Sequence, residues 1–170
     1  MTKPRIIAIA AVTEDWGIGQ NGDQPFYIPG DLQFFRKKTK GKPVVMGRVT
    51  LAALPGGRPL PGRTNIILSR GEIDAPGALV CRDLDSLAAA LHDVKTDVFV
   101  IGGQQIYHAM IDFCHYAYVT KISAKPPADR FFPNLDTLKN WAKVAQGEPQ
   151  NHNGLIYTFC EYENRHPLTF

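Results

Sequence analysis

In the stretch "QPFYIPGDLQFFRKKTKGKP", residues 24–43, one acid stands where a carboxylate is not expected. If a helix begins at Pro29, then Ile28, Asp31, Leu32 and Phe35 fall at the i, i+3, i+4, i+7 spacing of a single inward-facing stripe. An ionised carboxylate on such a stripe is costly unless something pairs with it. Asp31 therefore calls for either a buried cationic partner or a site open to a ligand. A plainer reading is a helix-end acid favoured by the macrodipole in the first turn. Phe35 lies one turn on, on the same face. A carboxylate beside an aromatic ring would grip a flat heterocycle carrying adjacent N–H donors, since its two oxygens can accept both in parallel.

Two further segments have the form of anion sites. "VFVIGGQQIYHAMI" is an apolar strand running through Gly102-Gly103 directly into a helix, where the backbone permits close approach and the first helical N–H groups are free. "VVMGRVTLAAL" repeats the form, with Gly47, Arg48 and Thr50 opening a second short helix. Together they would suit the phosphates of a dinucleotide, although each also reads as a tight turn and no Rossmann fingerprint is present. "GGRPLPGRTNIILSR" holds Arg58 and Arg63 before a strand and Arg70 after it. Arginines next to prolines in loops are usually solvated surface, but arginine is also suited to bidentate carboxylate or phosphate recognition. "WGIGQNGDQPF", residues 16–26, is either a flexible surface loop or a lid over the end of the first strand.

Several buried strands must position these groups. "RIIAIAAVT" is a continuous apolar run, as in a strand covered on both faces. "PVVMG", "TNIILS", "DVFVIGG" and "YAYVTKI" repeat that pattern. Between them lie helices such as "LDSLAAALHD", with Leu84, Leu87, Ala88 and Leu91 on one stripe and Asp83 as N-cap. Alternating strands and helices predict an α/β fold around a largely parallel sheet. After Pro133, "WAKVAQGEPQNHNGLIYTFCEYE" predicts a β-hairpin at an antiparallel edge. At 170 residues the chain suits one domain.

Composition narrows the function. A net charge of +3, with scattered basic residues, suits a small anionic ligand and argues against a nucleic-acid partner. Cys81, Cys114 and Cys160 have no paired or metal-ligand spacing, so they read as buried thiols of a reducing compartment, with no metal site. No run approaches the roughly 18 apolar residues of a membrane span, and a cytoplasmic protein is expected.

The ordered fragments "IAAV", "GIGQNG", "IPGDLQFFRKKT", "KPVVMGRVT", "RPLPGRTNIILS", "VIGGQQIY", "VTKI" and "DRFFP" resemble dihydrofolate reductases of the bacterial chromosomal type across nearly the whole chain. That resemblance implies an eight-stranded, mostly parallel sheet with an antiparallel C-terminal strand, flanked by helices. It also implies NADPH-dependent reduction of 7,8-dihydrofolate to tetrahydrofolate for one-carbon metabolism, antifolate inhibitors as further ligands, and a monomeric enzyme. By position, Asp31 corresponds to the pterin-binding acid and Thr120 to the threonine bonded to it. Phe26 and Phe35 would pack on the substrate, Arg63 would pair with its glutamate carboxylate with Arg58 nearby, and Ile9 and Ile101 would offer carbonyls to the pterin, with Tyr107 beside them. Ala11 would touch the nicotinamide, and Ile18, Gly19, Asn21, Gly22 and Asp23 would close over it. Gly47, Arg48, Val49 and Thr50, with Gly102, Gly103, Gln104, Gln105, Ile106 and Tyr107, would cradle the cofactor phosphates. Ser69, Arg70 and Arg82 would meet the 2′-phosphate. The family carries a cis peptide at the Gly-Gly turn.

One departure stands beside the acid. Gln24 and Phe26 replace the apolar residue and tryptophan that the family usually has there, so an indole N–H that helps hold a water near the acid is lost. Two alternatives remain at this stage. The pyrimidine reductase of riboflavin synthesis shares the fold and cofactor, but Asp31 and Arg63 match folate recognition. A non-catalytic nucleotide-binding relative would not need the whole residue set intact.

Overall fold

A computed structural model describes residues 4–20 and 24–169. Strand β1 (Ile6–Val12) lies inside the main sheet, paired in parallel with β6 (Val98–Gly102) on one side and β7 (Tyr116–Ile122) on the other. Beyond β6 come β3 (Pro43–Met46), β4 (Thr64–Leu68) and β5 (Ala78–Cys81), all parallel. Beyond β7 comes β11 (Leu155–Asn164), which runs antiparallel to it. The far edge of β11 is shared by two short strands: β9 (Trp141–Gln146) pairs with its second half and β10 (Gln150–His152) with its first. The sheet thus has eight positions, the last filled twice. The expected hairpin is present at that edge, but its polar connection contributes β10 and turns tightly at Asn153-Gly154, where both residues have positive φ.

Strand alternation sorts the core into two layers. Ile6 and Ala8 join one cluster with Val45, Ile66, Val100 and Val119, while Ile7 and Ile9 join the other with Val44, Met46, Ile67 and Phe99. Helix α3 (Leu84–Leu91) buries Leu87 and Leu91 in the first layer, and Asp83 caps it by accepting from the Ser86 amide. Helix α4 (Gln104–Met110) adds Tyr107 and Met110 to the same layer. Helix α1 (Pro29–Thr39) covers the opposite face through Phe34 and Phe35. It starts at Pro29, as the spacing predicts, because proline loses no hydrogen bond in a first turn. A short helix α2 (Arg48–Ala53) follows β3 directly. The loop after α2 makes a 3₁₀ turn at Pro55–Gly57. All three cysteines are buried free thiols.

The segment after β1 is not a free loop at its start. Trp16 is 5% exposed with φ of +64°, and its ring stacks on Phe132 at 6.1 Å. Residues Gly17–Gly19 form β2, paired antiparallel with β8 (Arg130–Phe131). The Phe132 amide donates to the Trp16 carbonyl at 2.8 Å, and the Gly17 amide to Thr13 Oγ1 at 3.0 Å. The flexible reading is corrected for Trp16–Gly19, because stacking and pairing anchor that part. Asn21, Gly22 and Asp23 lie outside the described residues.

Since Trp16 carries the base of this ribbon, Trp16→Ala is expected to cost about 3–5 kcal/mol in urea unfolding, the range for truncating a buried aromatic. A loss below about 1 kcal/mol would mean that the stack contributes little.

Candidate functional site

Asp31 sits in the first turn of α1, against Thr120 near the carboxyl end of β7. Ile28 of the inward stripe is buried, but Asp31, Leu32 and Phe35 are only half-buried, so the stripe passes from core to partly open surface. Thr120 on β7, in register with Ala11 of β1, is 2% exposed and donates from Oγ1 to Asp31 Oδ1 at 2.6 Å. No basic side chain forms an ion pair with Asp31 among the described residues. Burial therefore raises the carboxyl pKa above its ordinary value, and the Thr120 bond only partly offsets this. The helix-end reading does not account for such a group, which a first-turn position alone would leave solvated.

Next to the acid, helix and sheet meet closely. A Cβ on Gly30 would run into the Tyr157 hydroxyl, so glycine lets α1 seat its first turn against β11 at that spot without displacing that ring. Phe26 packs with Ile28, Ile122 and Tyr157 in a small apolar cluster on the same side.

At the other end of α1 the Arg63 guanidinium is held by its own side of the fold. Its Nε donates to Thr39 Oγ1 at 2.9 Å and Nη1 to the Pro61 carbonyl at 2.8 Å, and the group lies 6.0 Å from the Phe35 ring centre. Thr39, fully buried, in turn donates to the Phe35 carbonyl at 2.8 Å. Burial, then the nearby Arg36, lowers the Arg63 pKa. A desolvated cation beside another cation, with no acid paired to it among the described residues, favours an incoming carboxylate. Asn65 shapes the loop. Its amide nitrogen donates to the Leu60 and Arg63 carbonyls, and its oxygen accepts from the Leu60 amide. Arg58 is exposed and lines a groove of about 560 Å³ with Arg63, Asn65 and Asp74.

The two glycine turns interlock. Gly102-Gly103 is a cis peptide, and Gly102 has φ of +128°. A Cβ on Gly102 or Gly103 would meet Thr50 Oγ1 at 3.2 or 3.4 Å, and one on Gly47 would meet Ile106 at 2.9 Å. The Gly47 amide donates to the Gly102 carbonyl at 2.8 Å. Arg48 and Val49 are exposed at the start of α2, Gln105 is exposed and Ile106 half-buried in α4, and Ile101 is half-buried at the end of β6. Tyr107 is 5% exposed and donates to the Ile9 carbonyl at 2.7 Å. The Tyr107 hydroxyl is thus committed to the backbone, and burial pushes its pKa far up. Ile9 keeps a second lone pair on the shared carbonyl.

Ser69 and Arg70 follow β4, and Arg82 follows the neighbouring β5; the Ser69 amide donates to the Cys81 carbonyl at 2.9 Å. Arg82 lies 3.5 Å from Glu72 in a solvent-exposed pair. Ile18 and Gly19 belong to β2. Gln104 spends its side-chain oxygen on the Phe131 amide at 2.7 Å. Sequence reasoning passed over Thr39, Asn65, Tyr157 and Gly30. A threonine closing a helix and an asparagine opening a strand are common enough to carry no signal until the arginine loop folds onto them.

The family model described as dihydrofolate reductase matches residues 5–164. The chain is 36% identical over 160 residues to dihydrofolate reductase of Neisseria gonorrhoeae, covering 93% of this chain and 97% of that one. It is 39% identical over 158 residues to dihydrofolate reductase type 3 of Salmonella typhimurium, covering 92% and 94%. Dihydrofolate reductase from Enterococcus faecalis, solved in complex with NADP(H) and RAB-propyl, superposes with a TM-score of 0.83 at 33% identity, covering 94% of this chain and 96% of that one.

The raised pKa of Asp31 makes its ionisation oppose folding: the cost is absent below the unfolded-state pKa and complete once pH exceeds the folded-state value. Asp31→Asn is therefore expected to unfold at higher urea than the parent at about pH 7, with the advantage shrinking towards about pH 3. Unchanged midpoints at both pH values would refute a desolvated acid. Separately, Gly30→Ala, which at an open helical position would stabilise, is expected to cost about 1–3 kcal/mol by overpacking. Adding Tyr157→Phe should recover most of that loss; a Gly30→Ala protein as stable as the parent would show that the contact yields freely.

Proposed function

The chain belongs to the dihydrofolate reductase family, and we propose that it reduces 7,8-dihydrofolate to 5,6,7,8-tetrahydrofolate with NADPH. The observation that carries this reading is the Asp31–Thr120 pair, a desolvated yet partly exposed carboxylate that no cation neutralises among the described residues. Such a group suits a pterin edge, whose adjacent N–H donors supply in parallel what the protein withholds. Thr120 holds one oxygen and so orients the carboxylate plane. Phe35, one turn on from the acid, would pack on the substrate, and the Ile9 carbonyl retains a lone pair for the pterin amino group.

The tail of the substrate is read at the far end of α1. Arg63, pinned by Thr39 and the Pro61 carbonyl, presents its remaining donors to the glutamate carboxylate without an ordering cost. For the cofactor, the interlocked turns at Gly47 and Gly102-Gly103 form a cradle that a Cβ would fill, and this fits a phosphate pressed against backbone. Arg48, Val49, Thr50, Gln105 and Ile106 would hold the phosphates there, and Ser69, Arg70 and Arg82 would hold a 2′-phosphate. NADPH, when bound, supplies the hydride that reduces the C6=N5 bond, leaving as NADP⁺, while N5 gains one proton. Asp31 contributes binding, orientation and a negative field that favours protonated pterin, and the proton comes from water. The β2–β8 ribbon would exclude bulk solvent. Antifolate inhibitors that mimic the pterin edge would compete for the same carboxylate.

Purified protein is expected to oxidise NADPH only when dihydrofolate is added, followed by the fall in nicotinamide absorbance. Asp31→Asn should lower kcat by about 10²-fold or more near neutral pH, recovering at low pH where substrate is already protonated. NADPH binding without any turnover of the parent would instead favour a nucleotide-binding protein.

A further inference from the structure

Two side chains of α4 meet the ribbon: Tyr107 packs its ring on Phe132 at 4.6 Å at the base, and Gln104 reaches the Phe131 amide further out. Strand β8 is two residues long and its pairing with β2 is irregular between Gly17 and Gly19, so the ribbon is too small to hold itself. At its base Trp16 and Phe132 are buried. Further out, Phe131 is 37% exposed, so it brings no comparable apolar anchor. Within the ribbon the Asp129 amide donates to the Gly19 carbonyl at 3.0 Å and the Phe132 amide to the Trp16 carbonyl at 2.8 Å. The Phe131 amide points to the other edge, as alternation along a strand requires, and there it meets Gln104 Oε1 at 2.7 Å. Because a backbone amide can only donate, the Gln104 side chain must present its oxygen, and its NH₂ group is turned elsewhere.

Gln104 is also well founded. It is the first residue of α4 and follows Gly103, whose close approach to Thr50 keys that helix to α2. A strut standing there transmits the position of the glycine turn to the ribbon. Alanine would serve the helix equally well, so helix propensity does not explain a glutamine here.

We propose that Gln104 is a positioning residue: its side-chain carbonyl holds the Phe131 amide and thereby fixes the β2–β8 ribbon against the Gly102-Gly103 turn. Its kinetic consequence rests on the function proposed above. Its structural consequence does not. Gln104→Ala is expected to speed hydrogen–deuterium exchange of peptides covering 16–20 and 129–132 by about fivefold, with the exchange of α1 and β1 unchanged. Gln104→Glu, whose carboxylate accepts the same N–H, should restore parental protection. In turnover, Gln104→Ala should lower kcat and leave the KM for dihydrofolate unchanged, and Gln104→Glu should recover kcat even if its charge raises the KM for NADPH. Unchanged ribbon exchange in Gln104→Ala would overturn the proposal, and so would accelerated exchange that Gln104→Glu fails to reverse. A parent protein without reductase activity, but with the expected exchange pattern, would refute the proposed function and leave the strut standing.

Discussion

Ile6 and Ala8 of β1 pack into one apolar layer and Ile7 and Ile9 into the other, and the rest of the molecule is arranged around that two-sided burial. A strand covered on both faces has no free side from which to offer chemistry. What it can offer is its carboxyl end and its backbone. The Ile9 carbonyl, the turn at the end of β6 and Thr120 on β7 all lie along that end, with α1 approaching from one layer and α4 from the other. The site is thus a seam between two helices that never touch the same face of the sheet. This is the general position for ligands in open α/β sheets.

Within the seam, polar groups are fixed by partners that are themselves buried. Thr120 holds Asp31, Tyr107 holds the Ile9 carbonyl, and Thr39 holds Arg63. Each bond consumes one valence of the functional group and leaves another unspent. Asp31 and Arg63 pay for this with unfavourable burial, the acid shifted up and the arginine shifted down. At Asp31 a neutral replacement would relieve that cost. Neither charge has an ion-pair partner among the described residues, which is the state the proposed ligand would relieve, with a donor edge for one and a carboxylate for the other.

Glycines do complementary work by removing side chains where elements must close up. Gly30 admits the Tyr157 hydroxyl beside the acid, and Gly47, Gly102 and Gly103 bring two strand-to-helix turns into contact. The loop after β1 follows the same economy. Its first residues are held by Trp16 and by β8 rather than left free, and the Gln104 side chain of α4 meets the outer edge of β8.

Periodicity by itself determined the parallel sheet, the start of α1 at Pro29, the cap at Asp83 and the strand-to-helix glycine turns, because these depend on neighbours within a few residues. It also marked Asp31 as misplaced, since a carboxylate on an apolar stripe violates a local rule. Whether that acid met a buried cation, solvent or a ligand cleft was beyond it, because the answer depends on Thr120, 89 residues away in the chain. The same holds for the bond from the Tyr107 hydroxyl to the Ile9 carbonyl, 98 residues away, and for the pinning of Arg63 by Thr39 and Asn65. Short-range order is written in residue spacing; the partner of a polar group is chosen by chain segments that meet only when the sheet closes.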